Sequence, residues 1–198
     1  MIAACLLCLI GFIAFRFYSD DTPAEWPVDA DEAASAADIS LLDAYKLALP
    51  DAKKWRPEAQ LFLITSVDDD EKELAGTAGK RKKWNLLFAN VSAEETLHVA
   101  IENGAVISTA ENKEKTLENT LIRPDNMKVD STDLIETAIR DFTLKPGVDW
   151  ANGYHFSLMN NGERTALIIT GLTGDGRFTQ VYYDSRTGTY IGSKVKTQ

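Results

Sequence analysis

The sequence predicts an α+β protein: two similar units, each a helix packed on an antiparallel four-stranded sheet, following an N-terminal transmembrane helix. Three observations lead there. A plan of short amphipathic helix, Trp and strand meander starts at Ser40 and starts again near Asp130. Short runs with apolar residues on one face or both are separated by turn signals such as Asn103-Gly104 and Asn160-Asn161-Gly162. The first eighteen residues, MIAACLLCLIGFIAFRFY, carry one charge, Arg16.

That opening run, 1–18, is just long enough to cross a thin hydrocarbon core and has no polar face. It reads first as an uncleaved signal anchor. A cleaved signal peptide and a lipoprotein signal at Ile2-Ala3-Ala4-Cys5 are the alternatives. Residues 19–38 hold seven acids and no base, with Pro23 and Pro27, and read as an acidic linker. The downstream Arg16 argues against an outward-facing C-terminus, and the acidic linker argues for one. The expectation is a single-pass membrane protein whose soluble part is extracytoplasmic.

The first unit is expected over 39–110. Ser40 and Asp43 form a capping-box pattern, and Leu41, Leu42, Tyr45, Ala48 and Leu49 give an apolar face. Pro50 is expected to stop that helix. Strands follow at Gln60–Val67, Trp84–Val91, Thr96–Glu102 and Ala105–Ser108. The excursion 68–83, with DDDEKE and the tetrad Lys80-Arg81-Lys82-Lys83, reads as a long solvated loop.

A polar connector, 111–129, leads to the second unit, 130–198. There Leu134, Ile135, Ala138, Ile139 and Phe142 mark a helix, capped by Asp133 and Glu136. Strands are expected at Gly153–Met159, Thr165–Leu172, Arg177–Asp184 and Thr189–Lys194. In the repeat, Leu61-Phe62-Leu63 answers Phe156-Ser157-Leu158, and Trp84–Val91 answers Thr165–Leu172. His98–Glu102 answers Gln180–Asp184, and Gly104–Ile107 answers Gly188–Ile191.

The closing run, Val181-Tyr182-Tyr183-Asp184-Ser185-Arg186-Thr187-Gly188-Thr189-Tyr190-Ile191, resembles the last hairpin of PepSY domains: an apolar strand, an Asp, a Thr-Gly turn and a final apolar strand. The resemblance covers 130–194 well and 40–108 weakly, because Glu102-Asn103-Gly104 lacks the Asp and the Thr. It implies a bacterial, extracytoplasmic, non-catalytic module that binds or restrains an envelope protein such as a peptidase or cell-wall enzyme. An inhibitor acting on a peptidase through a loop or edge strand is the alternative.

Composition and motifs narrow the chemistry. A net charge of −9 repels a phosphate backbone, so nucleic acid is not an expected partner. The two cysteines, Cys5 and Cys8, both sit in the apolar run, so the remainder has neither disulfide nor thiol nucleophile. His98 and His155 are the two histidines, and both read as solvent-facing sheet positions, since their repeat partners are taken as Gln180 and Gln60. Asp68-Asp69-Asp70-Glu71 lacks the spacing of a calcium loop, and Gly171–Gly176 joins two strands where a phosphate cradle needs a helix. No cofactor, metal or catalytic residue is expected. The candidate partner-binding residues are Trp55 and Trp150, at equivalent positions of the two units, and Tyr182 and Tyr190 on the last hairpin, where another chain could add a strand.

Overall fold

Among the described residues eight strands form one continuous antiparallel sheet, in the order β4-β3-β2-β1-β5-β6-β7-β8. The computed structural model describes residues 38–68, 75–148 and 151–196. The strands are β1 Gln60–Ser66, β2 Lys83–Asn90, β3 Glu95–Glu102, β4 Ala105–Lys113, β5 His155–Asn160, β6 Thr165–Leu172, β7 Phe178–Asp184 and β8 Tyr190–Val195. Two helices, α1 Leu41–Trp55 and α2 Ser131–Phe142, precede the two sets of four strands.

This corrects the expectation of two separate four-stranded sheets. Each set would leave its first strand as an open edge, and those strands are rich in Leu, Ile and Phe. Pairing β1 with β5 removes both edges at once. The seam is short: Leu63 lies opposite Met159, Ile64 opposite Leu158 and Thr65 opposite Ser157. The Thr65 and Ser157 hydroxyls hydrogen-bond across it at 3.1 Å. The described residues make one compact unit with a hydrophobic core that both helices and the strands share. No helix among the described residues is long and apolar enough to cross a membrane, and the proposed anchor 1–18 lies outside them.

Helix α1 starts as expected, with Ser40 Oγ accepting from the Asp43 N–H at 3.2 Å. It does not stop at Pro50 but continues one and a half turns to Trp55. An internal Pro costs about 3 kcal/mol through its lost hydrogen bond and ring clash. Pro50 faces solvent, and the turns beyond it bury Ala52 and dock Trp55, which offsets that cost. The fully buried stripe is Leu41, Ala44, Ala48 and Ala52. Three alanines at four-residue spacing let the helix lie close over the large sheet residues Trp84, Leu86 and Phe88.

Helix α2 is capped by Asp130, not by the Asp133–Glu136 pair. The Asp130 carboxylate accepts from the Ser131 N–H at 2.7 Å, and Asp133 reaches back to the Asp130 N–H at 2.8 Å. The same Asp130 oxygen accepts from the Leu42 N–H at 3.0 Å, and Ser131 Oγ accepts from Leu41 N–H at 3.1 Å. The N-termini of both helices therefore meet at one pair of side chains, where a carboxylate is favoured by both helix dipoles.

The strand pairings also correct the repeat. Ile101 and Tyr183 occupy equivalent places, since they face Val106 and Tyr190 on the outermost strands. Trp84 faces Ile101 and Leu167 faces Tyr183, so Trp84 answers Leu167 and not Thr165. Carried one strand further, Ile64 answers Phe156, and Leu63 answers His155. A bulge at Phe62, between Leu61 and Leu63, and the different lengths of the loops before β2 and β6 account for the slip.

Candidate interaction surface at the open end of the sheet

Both helices pack on one face of the sheet, the face carrying Trp84, Val99, Phe156, Leu167 and Val181. Pairing extends that face to Tyr190, Ser193 and Val195 of β8, which lie opposite Tyr183, Val181 and Thr179. Gly192 and Lys194 lie opposite Tyr182 and Gln180, on the other face. Strand β8 is an outer edge of the sheet, and the Tyr190–Ile191 corner is its apolar end. Tyr190 is 46% exposed and Ile191 39%. The Phe142 ring, at the last position of α2, lies 4.8 Å from the Tyr190 ring, and Tyr183 meets Tyr190 edge-on at 6.2 Å. Burial, with Asp141 nearby, pushes the Tyr183 hydroxyl up to about 12, so it stays protonated.

The turn before this corner is fixed by Asp184. Its carboxylate accepts from the Arg186 and Thr187 N–H groups, each at 3.0 Å, and from the Thr187 hydroxyl at 3.1 Å. Burial works to raise the Asp184 pKa, but these donors outweigh it and hold the group below its ordinary value. Gly188 then closes the turn through its N–H to the Asp184 carbonyl at 2.8 Å. These bonds fix the turn that leads into the corner.

The four residues singled out from the sequence are not brought together. Tyr190 sits at the corner. Tyr182 is a neighbour on β7 but points to the opposite face, half-buried, with its hydroxyl donating to Gln180 at 2.8 Å. Trp55 ends α1 over the other half of the sheet, half-buried against the core. Arg56 lies 5.3 Å over its ring and bridges to Glu95 of β3 at 2.9 Å. Six strand spacings separate β3 from β8, roughly 29 Å at about 4.8 Å each. Trp150 lies outside the described residues. The sequence reading missed Phe142 as part of the corner, although its place on the helix face put it near the last hairpin.

A second polar group lies at the seam, and it too was missed. Arg81, read as part of a solvated tetrad, is fully buried at 0% exposure. Its guanidinium donates to the carbonyls of Asn152 at 2.9 Å, Tyr154 at 3.3 Å and Val67 at 3.1 Å, with the Asp68 carboxylate at 3.9 Å. His155, read as solvent-facing, has Nδ1 3.1 Å from Ser66 Oγ, while its Nε2 is buried with no partner among the described residues. Burial first, and then the Arg81 charge, pushes its pKa down to about 4. A Ser–His pair can activate a nucleophile, but Ser66 is 5% exposed and already accepts from the Phe156 N–H at 3.0 Å. The cluster ties the loop around Arg81 to the start of β5. Among the described residues no group of three or more His, Cys, Asp or Glu side chains could hold a metal ion.

No family model matches the chain, and no curated protein matches it. Among solved structures it is similar to the crystal structure of a putative lipoprotein from Clostridium difficile 630, at 13% identity and a TM-score of 0.50. The match covers 77% of this chain and 92% of that one. At that identity the likeness shows a shared fold.

Proposed function

We propose that the protein is a non-catalytic, envelope-associated binding protein that modulates a partner such as a peptidase or cell-wall enzyme. The observation that carries this reading is the Phe142–Tyr190–Ile191 corner: two aromatic rings and an exposed isoleucine beside an open strand edge. Aromatic anchors at a desolvating, well-packed spot are what interfaces favour. The Asp184-capped hairpin supports the PepSY-like reading, and with it the bacterial, partner-restraining role. The lipoprotein description of the Clostridium difficile protein supports a membrane-attached, extracytoplasmic setting. The apolar run 1–18 would supply the attachment.

The test is a photo-crosslinker at Ile191 in the full chain, expressed in its native membrane, with a second at Thr109 of β4 as control. One dominant envelope protein captured at Ile191, absent at Thr109 and lost in Tyr190→Asp, is expected, and its activity should change when this chain is removed. Equal capture at both strands, or none at either, would refute the reading.

A further inference from the structure

The edge beside that corner also has a definite chemistry. Along β8 the backbone alternates in direction. Lys196 N–H bonds inward to the Phe178 carbonyl at 2.8 Å, and Lys194 lies opposite Gln180. By alternation the N–H and C=O of Ser193 and Val195 point away from the sheet, where a further strand would pair. Side chains alternate too. Tyr190, Ser193 and Val195 share the helix-covered face, whereas Lys194, and Lys196 by continuation, share the other. Neither lysine is in an ion pair among the described residues. The chain has 30 acids and 21 bases, so a run whose formal charges are all positive departs from the charge of the whole.

The opposite edge differs. Strand β4 alternates Glu111 with Lys113 and has no apolar residue larger than Ala110 from Ser108 onward, although it carries a bulged, 59% exposed Ile107 where β8 carries Ile191. Both bulges sit at the turn end, and β8 keeps Gly192–Val195 regular beyond its own. Strand β4 is likewise regular beyond its bulge, over 108–113, so the edges differ in charge: mixed on β4 and all positive on β8. Lysines on β8 protect against a second copy of this basic edge and at the same time favour an acidic one.

Resting on the proposed partner-binding role, we propose that β8 accepts an extended segment of the partner as a ninth strand, with acidic and apolar side chains alternating along it. Its acids face Lys194 and Lys196. Its apolar residues continue the Tyr190–Val195 face beside Phe142. Main-chain bonds to Ser193 and Val195 supply the pairing, and the alternating side chains set the specificity.

The probe is the peptide acetyl-Thr-Val-Glu-Val-Glu-Val-Thr-amide, titrated into the full chain in detergent and followed by the amide resonances of Ser193 and Val195. Protection of those two amides is expected, with at least tenfold tighter binding than the same peptide carrying Lys for Glu. The Lys194→Glu/Lys196→Glu variant should reverse that preference. A peptide N-methylated at alternate amides should bind at least tenfold more weakly. Equal binding of acidic and basic peptides, an unchanged preference in the double variant, or self-association of the chain through β8 would each overturn the proposal. Failure of the peptide with continued capture at Ile191 would overturn the strand and leave the binding role. Peptide pairing without any partner at Ile191 would do the reverse.

Discussion

Acid should weaken this protein between pH 7 and pH 5, and His155 should be the main reason. Its ordinary pKa is 6.5, and burial beside Arg81 lowers it to about 4 in the folded chain. Between those values the unfolded chain takes up a proton that the folded chain refuses. The contribution is therefore whole above pH 6.5 and is lost as pH falls towards 4. At about 1.36 kcal/mol per pH unit the full gap is worth roughly 3 kcal/mol, and a fall from pH 7 to pH 5 removes roughly 2 kcal/mol of it. His98, half-buried on the uncovered face, is lowered by burial in the same direction. Asp43 is held low by its hydrogen bond to Lys46, and Asp184 is also below its ordinary value. Their contributions persist above 3.8 and fade only below it, so the window from 5 to 7 isolates the histidines. Urea unfolding of the chain and of His155→Gln at pH 7 and pH 5 measures the effect. The parent should lose about 2 kcal/mol more than the variant. Equal losses, or a His155 imidazole titrating near 6.5 by NMR, would refute the placement of His155 beside a buried guanidinium.

Other perturbations test the joints of the fold. Arg81→Met leaves the Val67, Asn152 and Tyr154 carbonyls without their donor and should cost about 3–5 kcal/mol in urea unfolding at pH 7; a cost below 1 would mean the guanidinium is replaceable by packing. Ser131→Ala strands the Leu41 N–H and the Gly79 carbonyl, to which the hydroxyl donates at 2.6 Å, and should cost about 1–3 kcal/mol by the same assay. Gly79→Ala puts a Cβ 2.6 Å from Thr132 Cα at a φ of +74° and should lower the thermal midpoint by several degrees, on the order of 2–4 kcal/mol. Pro50→Ala should raise that midpoint, by about 1–2 kcal/mol, because the helix runs through this position; a fall would mean the ring is needed where it sits.

Local features of the fold were legible in the sequence, and pairings between distant segments were not. Turn chemistry placed the starts of the strands to within two residues, although β4 runs on to Lys113, past the Ser108 end expected and into the expected connector. Asn103 and Gly104 take φ of 51° and 74°, as a two-residue hairpin demands, and β6 begins and ends at Thr165 and Leu172 as the apolar run suggested. Pro50 alone predicts a stop, and the end of α1 is set instead by the burial of Ala52 and the docking of Trp55 beyond it. Nothing in a run of four basic residues marks Arg81 as the one that turns inward. What selects it is its backbone bridge to Ile39, with both N–H and C=O paired at 3.0 Å, a contact between segments forty residues apart. Of the candidate site, Tyr190 was found through its hairpin. The outward-pointing Ser193 and Val195 were not, because direction at an edge depends on register with β7.

Register also explains why the repeat misled on His155. A period of two makes a shift of one residue flip a strand, while a shift of two keeps every face and moves every partner. The slip between β2 and β6 is of that second kind, so apolar faces match although the partners differ. In β1 the Phe62 bulge added one more residue, an odd shift, which compared His155 with the exposed Gln60 and hid its true counterpart, the half-buried Leu63. A histidine at a leucine's place beside the seam is then unsurprising in size and costly in charge. Its neutral form is what the fold stabilises. The short β1–β5 pairing thus depends on a polar cluster at its end, where the Ser66–His155 contact joins the two strands directly. If that dependence holds, hydrogen exchange at pH 5 should release the Ile64 and Leu158 amides before the core amides of β2 and β6. Uniform release across the sheet would show that the seam is no weaker than the pairings on either side of it.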